Sequence, residues 1–431
     1  MPPADETWAP MSIGVRYPPV SAPLRDRLGP LAERDFRLLF SATTVTTLGD
    51  SVGNIALVFA VLHFGSATDL GFVLATRSGV NAALVLVGGV VADRLPRHLV
   101  LASSSAVQGA AQAATAGLVL SGRATVGLLI GLQALYGVGD GFVVPAEVGL
   151  VPQTVSPERL QQANALQGLS RNIVFAVGPA VGGALVVAGS PGIALAADAV
   201  SFALCALLLE RIRVPAPQRE EREGFFHELR AGWSEFTRHT WLWASVGLFG
   251  IGNFVWSGCW SVLGPTIAKH HLDGAGAWAT ILTVFGIGAV VGGFTALRIR
   301  PSRPLLVSVL APAPFAIQLV ALSIPAPVWL LALVSFVTGL GLSIHLALWF
   351  TVFQREIPAH AQSRVSSYDA LGSFVLIPLS MGVAGPIAAA AGFSATLLGA
   401  AAVNVACLAA IVSLPAVRAI RAPAPSTMAA G

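Results

Sequence analysis

Five ionisable residues interrupt long apolar runs of this chain and are the first candidates for chemistry: Asp50, Arg77, Asp140, Arg171 and Asp198. Charges in such surroundings are costly, so they usually pair or face a water-filled cavity. Helix rise places Asp50 about 20 Å and Arg77 about 23 Å from the same end of their runs, and both Asp140 and Arg171 near about 13 Å. These depths predict two ion pairs, Asp50–Arg77 and Asp140–Arg171, and leave Asp198 without an obvious partner.

Pairs of this kind can act as proton-dependent switches. A carboxylate that takes up a proton no longer attracts its arginine, and the loss of that attraction shifts a conformational balance. The alternative is a static pair in which two unavoidable charges neutralise each other. The sequence leaves both interpretations open for both pairs.

A second candidate site is aromatic and lies in LFGIGNFVWSGCW at 248–260. Here Phe249, Phe254, Trp256 and Trp260 surround Asn253. Trp256 and Trp260 are four residues apart, so they share one face of a helix. A cavity lined in this way would suit a large aromatic or amphipathic solute. The alternative is that these rings pack against lipid.

The remaining reactive residue types predict no metal or cofactor site. His345 is interpreted as a packing residue, and Asp369 as a charge that favours the N-terminus of its helix. The paired histidines at 270–271 lack the spacing of metal ligands. All three cysteines lie inside apolar runs, which predicts packing rather than disulfides.

A tight charged turn, GGVVADRLPRHLVL at 88–101, separates two apolar runs and contains Gly89, Asp93, Arg94 and Arg97. Glycines next to such a turn allow helices to approach closely. The charges can cap helix ends and can hold one closure state by contacting a neighbouring helix bundle. The alternative is a hydrophilic turn that topology alone requires.

Composition dictates the elements that carry these residues. Of 431 residues, 55% are hydrophobic and 11% are charged, against roughly 25% charged in soluble domains. A membrane-spanning helix needs about 20 apolar residues. Twelve runs qualify and predict an all-α membrane protein, near 37–62, 70–92, 99–120, 125–148, 162–188, 192–210, 241–267, 276–297, 304–323, 327–350, 365–390 and 394–416.

Charge distribution predicts the orientation. Twenty-one of the 25 basic residues fall on one side of the predicted spans, which places both termini in the cytoplasm. The N-terminal stretch 1–35 has no apolar h-region, so it is interpreted as a flexible cytoplasmic tail rather than a signal peptide. The basic residues form no stripe with interleaved aromatics, so no nucleic-acid partner is expected.

The chain repeats itself after about 200 residues. For example, Gly137-x-Gly139 is matched by Gly339-x-Gly341. The repeat predicts two six-helix bundles, at 36–210 and 241–416, joined by a cytoplasmic linker at 211–240 and followed by a tail at 417–431. Repeats of this kind are typical of transporters that rock around a midplane cavity.

Several motifs resemble those of the major facilitator superfamily. Residues 89–98, GVVADRLPRH, are similar to the family's loop signature G-x-L-A-D-R-x-G-R-R, with Pro96 and His98 as departures. The segment Gly178-Pro179-Ala180-Val181-Gly182-Gly183 resembles the GPxxGG core of the antiporter signature of drug exporters. Gln133 stands where many proton-coupled members have an arginine.

Three shorter elements resemble the enterobactin-exporter-like and macrolide-efflux-like branch, also called the third drug:proton antiporter family. They are Leu48-Gly49-Asp50, Asp140-Gly141-Phe142 and Ala163-Asn164-Ala165-Leu166. The resemblance implies a monomeric transporter in a bacterial cytoplasmic membrane. It would export an amphipathic small molecule, such as a drug, antibiotic or siderophore, by alternating access with proton antiport.

Two other functions stay open on sequence alone. One is an importer or uniporter of a small nutrient on the same fold, and the other is a membrane sensor or scaffold that transports nothing. An enzyme is not expected, because no HExxH or CxxC motif is present, and without a P-loop direct coupling to ATP is not expected either. The expected partners are a small-molecule substrate, protons and the lipid bilayer.

Overall fold

The computed structural model describes residues 29–214, 225–324 and 326–422. Side chains at 86, 90, 93, 225–231, 359–360 and 363 lie outside this description. Most of the expected tail 1–35, the middle of the linker 211–240 and the end of the tail 417–431 therefore fall outside the described residues. The boundaries predicted for the two bundles stay predictions.

Six helices form what we call the N-terminal bundle: α1 (Arg34–Phe64), α2 (Ala67–Arg94), α3 (Arg97–Leu120), α4 (Val126–Thr154), α5 (Leu160–Ala188) and α6 (Pro191–Leu209). Local chemistry explains where several of them begin. The Ser66 hydroxyl and the Asp69 carboxylate cap each other's backbone at the start of α2, which satisfies two otherwise unpaired amides. Thr125 and Ser190 cap α4 and α6 in a similar way.

The linker contains α7 (Phe225–Arg238), and the C-terminal bundle follows. Its helices are α8 (Thr240–Gly258), α9 (Gly264–His271), α10 (Gly274–Ala296), α11 (Pro304–Leu310), α12 (Pro314–Ser323), α13 (Val328–Glu356), α14 (Ala359–Phe374), α15 (Ile377–Ala391), α16 (Phe393–Ser413) and α17 (Pro415–Ala419). A π-helical turn, Cys259–Leu263, joins α8 to α9. Prolines coincide with two further breaks, because a proline lacks the amide that continues a helix. Pro312 lies in the break between α11 and α12, Pro314 begins α12, and Pro378 follows the break before α15.

Ten segments of the described chain are long and apolar enough to cross a membrane. Helices α2 and α3 are not among them, although they have 28 and 24 residues, more than the roughly 20 that a span requires. On α3 the polar side chains are turned inward, since Ser104, Gln108 and Gln112 are all buried. The all-α membrane fold is therefore established, and the count of twelve spans stays a prediction.

Alternating helix directions define two ends of the molecule. We call the end with residues 95–96, 155–156 and 297–303 the terminal face, because both bundles begin and end there, and the opposite end the distal face. The bundles meet through α2 against α15 and α5 against α10. Near the distal face, a Cβ on Gly385 would lie 2.5 Å from Thr68 Cα, so these helices contact each other through bare backbone.

Candidate functional site

A network of polar side chains around Asp50 joins α1, α2 and α4. The hydroxyl of Tyr136 donates a hydrogen bond to Asp50 Oδ1, and Arg77 Nη2 lies 4.0 Å from the same oxygen. Arg77 also donates to Asn54 Oδ1 at 2.9 Å, and its guanidinium lies over the Tyr136 ring, 3.9 Å from the centroid. The structure therefore brings Asp50 and Arg77 together, as their depths predicted.

Tyr136 was missed in the sequence, although it contacts both charges of this pair. Its side chain is only 1% exposed, and Phe202 packs edge-on against its ring at 5.6 Å. Close helix packing holds it there, because a Cβ on the next residue, Gly137, would lie 2.6 Å from the carbonyl oxygen of Arg77. A tyrosine beside a small-residue motif in an apolar run was the available signal.

The predicted pair Asp140–Arg171 is wrong. Arg171 Nη2 bonds Glu147 Oε1 at 2.7 Å, and Asp140 accepts a hydrogen bond from Asn81 at 2.9 Å. Asp140 and Glu147 are two turns apart on one side of α4, about 10 Å along its axis. A long arginine extends toward the more polar end of its helix, so the depth of its Cα does not locate its charge.

Asp198 has partners that the sequence did not suggest. It is 1% exposed and accepts hydrogen bonds from Gln112 Nε2 at 2.6 Å and from Ser201 Oγ at 3.3 Å. Gly49 and Gly53 of α1 provide the room, because a Cβ on Gly53 would lie 2.0 Å from Asp198 Oδ2. Asp50 lies between these two glycines in the sequence of α1. The same stretch of α1 therefore carries Asp50 and packs against Asp198.

The charged turn at the terminal face contacts α4. Arg97 Nη1 donates to the carbonyl oxygen of Gly149 at 2.6 Å, and a Cβ on Gly149 would lie 2.4 Å from Arg97 Cζ. The glycines next to the turn were expected to allow close helix approach, and Gly88 does so. A Cβ on Gly88 would lie 2.4 Å from the carbonyl oxygen of Gly141. Gly89 has no heavy atom within 4 Å of its Cβ position, and Arg94 is exposed. The side chain of Asp93 is outside the described residues.

The Gly178-Pro179-x-x-Gly182-Gly183 segment lies in α5 between two helices. Gly178 and Gly182 face α1, where added Cβ atoms would lie 2.3 Å from Ser51 Oγ and 3.0 Å from Val52 Cα. Gly183 faces the other bundle, and its Cβ would lie 2.2 Å from Ala279 Cβ on α10. Pro179 is buried inside the helix. This segment therefore packs the two bundles together.

The predicted aromatic cavity around Asn253 is only partly correct. Asn253 lines a cavity of about 150 Å³ within the C-terminal bundle. Phe254 faces a different pocket, and Trp256 and Trp260 stack on each other at 5.7 Å in the helix packing. Trp256 also donates to Gln318 at 3.3 Å. Since a helix exposes only part of its circumference to one cavity, these neighbours in sequence separate in space.

The cavity contains polar groups that were assigned other roles from the sequence. Asp369, expected to act at a helix N-terminus, accepts a hydrogen bond from Trp349 Nε1 at 2.9 Å. His345, expected to be a packing residue, lines the same cavity and lies 2.9 Å from the carbonyl oxygen of Ser308 through Nδ1. These residues meet only through tertiary packing, so no local pattern could have identified them.

The described part of the chain contains no candidate metal centre. Among the residues that the structure describes, no three histidine, cysteine, aspartate or glutamate side chains could hold an ion together. Cys205, Cys259 and Cys407 are free and buried.

The family model of the Major Facilitator Superfamily matches residues 39–380, and the chain belongs to this family. It is therefore a multi-pass membrane transporter of a small-molecule substrate and not an enzyme. Among curated proteins, it is 26% identical to "Enterobactin exporter EntS" of Escherichia coli O1:K1 / APEC over 385 residues, which cover 84% of this chain and 90% of that protein. The exporter of the same name from Shigella boydii serotype 18 matches at the same identity and coverage.

Solved structures show the same fold. A bacterial homolog of the human lysosomal transporter Spinster, in an inward-facing and unoccupied conformation, has a TM-score of 0.66 at 14% identity and covers 90% of this chain and 98% of its own. The nucleoside transporter NupG has a TM-score of 0.69 at 13% identity and covers 87% and 98%. At these identities the likeness concerns the fold alone.

Proposed function

We propose that this protein exports an amphipathic small molecule, such as a drug, an antibiotic or a siderophore, by alternating access and in exchange for protons. The observation that carries the proposal is the contact of Asp50 with Arg77 and Tyr136. One oxygen of Asp50 contacts a cation on α2 and a hydroxyl on α4. The relative positions of α1, α2 and α4 therefore depend on the charge of Asp50.

The network adjoins the contacts between the bundles. Ser78 follows Arg77 and lies 3.6 Å from Met381 Sδ on α15. Ser51 follows Asp50 and faces Gly178 of α5, the helix that contacts α10 through Gly183. A change in the spacing of α1 and α2 is therefore passed directly to both interfaces between the bundles.

Protonation supplies that change. A proton on Asp50 removes the attraction to Arg77 and so weakens the connection between α1 and α2, which then rests on the hydrogen bond from Arg77 to Asn54 of α1. The side chain of Asp50 is 34% exposed, so water that enters between the bundles reaches it. Proton uptake and release at Asp50 thus favour different arrangements of the bundles, as exchange requires.

Export, rather than import, is supported by the GPxxGG segment in α5 and by the relatives named as enterobactin exporters. We further propose that the protein acts as a monomer in the bacterial cytoplasmic membrane, with the terminal face in the cytoplasm. The basic residues concentrated on that side of the predicted spans support this orientation.

The test is accumulation of a panel of fluorescent lipophilic compounds in cells that express the protein, with and without a protonophore. We expect lower accumulation of at least one compound, and the protonophore to abolish the difference. Asp50→Asn should behave like cells without the protein. The matched control is Asp273→Asn, the same change at an exposed residue whose side chain makes no cap hydrogen bond.

Other outcomes identify the alternatives. Higher accumulation in expressing cells would indicate an importer. A difference that survives both the protonophore and Asp50→Asn would overturn proton coupling at Asp50 and leave export intact. No flux for any compound, together with tolerance of Asp50→Asn in a growth assay, would favour a sensor or scaffold.

A further inference from the structure

The cavity in the C-terminal bundle is a separate site from the Asp50 network. Its lining comes from α8, α11 to α14, α16 and the break between α11 and α12, all within residues 248–411. Phe249 and Asn253 lie nine and thirteen residues after α8 begins, which places the cavity about 13 to 20 Å from the terminal face, near mid-depth. Nothing in the coupling scheme above uses it.

The carboxylate of Asp369 gives this cavity an unbalanced negative charge. Trp349 Nε1 donates to one of its oxygens at 2.9 Å and Ser373 Oγ to the other at 3.4 Å. Across the described part of the chain, no lysine, arginine or histidine nitrogen lies within 4.0 Å of it. Both donors are neutral, so they orient the carboxylate without neutralising it, and a charge left alone at this depth is unfavourable.

Aromatic rings line the same cavity as that charge. Phe249 packs edge-on against Trp349 at 5.5 Å and against His345 at 5.0 Å, and Phe315, Phe350 and Phe374 complete the lining. The faces of such rings attract cations, most strongly where water is excluded. A carboxylate in a cavity lined by aromatic rings favours an organic cation over an anion or a neutral solute.

The remaining polar groups fit this charge preference. His345 Nδ1 faces the carbonyl oxygen of Ser308 at 2.9 Å and donates to it, so this donor is not free for a ligand. Asn253 is already engaged through its amide nitrogen, which donates to the carbonyl oxygen of Ser373 at 3.0 Å. The cavity therefore presents acceptors, which suits a ligand that carries positive charge or donors.

Size limits the ligand group to about one ring. A volume of about 150 Å³ matches an apolar cavity that holds a benzene molecule. We propose that this cavity binds the ammonium-bearing aromatic or alkyl end of an organic cation, with Asp369 as its counter-ion. The assignment rests on the proposed export function only in naming this cation as a substrate, since binding itself requires no transport.

The experiment compares two isosteric probes on the purified full-length protein. Benzyltrimethylammonium is permanently charged, and neopentylbenzene has the same shape without charge. Quenching of tryptophan fluorescence, with Trp349 in the cavity wall, reports binding of both. We expect the cation to bind at least about tenfold more tightly than the neutral probe, as a desolvated cation–π contact with a carboxylate implies.

Variants separate charge from packing. Asp369→Asn should remove the preference for the cation and leave neopentylbenzene binding unchanged, while Asp273→Asn should behave as wild type. Phe249→Leu keeps the cavity apolar but removes one ring face, so it should weaken the cation selectively and serves if Asp369→Asn does not fold. Equal binding of the two probes to wild type, or a preference that survives Asp369→Asn, would overturn the proposal.

The outcome is independent of the transport assay. Asp50→Asn should bind benzyltrimethylammonium as wild type does, even though it is expected to lose proton-driven export. If cation binding is found and export is not, the site stands and the proposed function fails. If export is found and cation binding is not, the proposed function stands and the cation site is overturned.

Discussion

The guanidinium of Arg77 lies 3.9 Å above the ring of Tyr136, while the hydroxyl of that tyrosine bonds Asp50, the counter-ion of Arg77. One side chain of α4 thus contacts both members of an ion pair formed by α1 and α2. Its ring stabilises the cation and its hydroxyl stabilises the anion. The charge on Asp50 therefore affects both its hydrogen bond with Tyr136 and its attraction to Arg77.

Tyr136→Phe should separate these two contacts. It keeps the ring under Arg77 and removes the hydrogen bond to a charged acceptor, which is worth about 1.5–3 kcal/mol. We expect export driven by a proton gradient to fall roughly tenfold with protein abundance unchanged, as measured by efflux rate per transporter. An unchanged efflux rate in Tyr136→Phe, at equal abundance, would show that this hydrogen bond plays no part in coupling.

The contact of Gly183 with Ala279 should control closure at the distal face. Gly183→Ala places two methyl groups 2.2 Å apart, so the bundles must separate there or the variant loses stability. We expect efflux to fall, and Ala279→Gly to restore it in the double variant. Gly168→Ala is the control in the same helix, because no atom lies within 4 Å of its Cβ position. Failure of Ala279→Gly to rescue would contradict the contact.

Arg97 should hold the turn between α2 and α3 against α4. Its donation to Gly149 at 2.6 Å is charge-assisted, and such bonds are about twice as strong as neutral ones. Arg97→Gln should therefore lower the efflux rate more than Arg123→Gln, which changes an exposed arginine at the distal face. Equal rates for the two variants, at equal abundance, would mean that the turn only satisfies topology.

Asp140 and Arg171 should act independently, since Arg171 pairs with Glu147 instead. The effects of Asp140→Asn and Arg171→Gln on efflux should multiply in the double variant, because residues without shared partners do not couple. Arg171 is 58% exposed, and we expect the smaller loss there. A double variant that is no worse than Asp140→Asn alone would restore the pairing first predicted.

The sequence predicted those features that depend on position along a helix. Long apolar runs indicated the helices, and equal depth brought Asp50 and Arg77 together, because helix rise is constant. The sequence predictions failed where the rotation of a helix about its axis or the length of a side chain determines the contact. Arg171 extends two turns away from Asp140, and Trp256 faces the packing rather than the cavity beside Asn253.

Features assembled from distant helices were out of reach. Trp349 and Asp369 come from α13 and α14, and Phe249 from α8, so the C-terminal cavity exists only after packing. Tyr136 is a similar case, because its two charged partners lie on helices about 60 and 90 residues earlier in the chain. A single sequence does not show which residues on distant helices are in contact.

In the proposed mechanism, the charge on Asp50 sets the arrangement of the two bundles. Spin labels at Glu158→Cys and Arg300→Cys, exposed residues of opposite bundles at the terminal face, report their separation in a background without the native cysteines. We predict that acidification shifts the distance distribution of the wild-type transporter, and that Asp50→Asn shows the acidic distribution at every pH. An Asp50→Asn variant that still responds to pH as the wild type does would contradict this mechanism and assign the response to another titratable group.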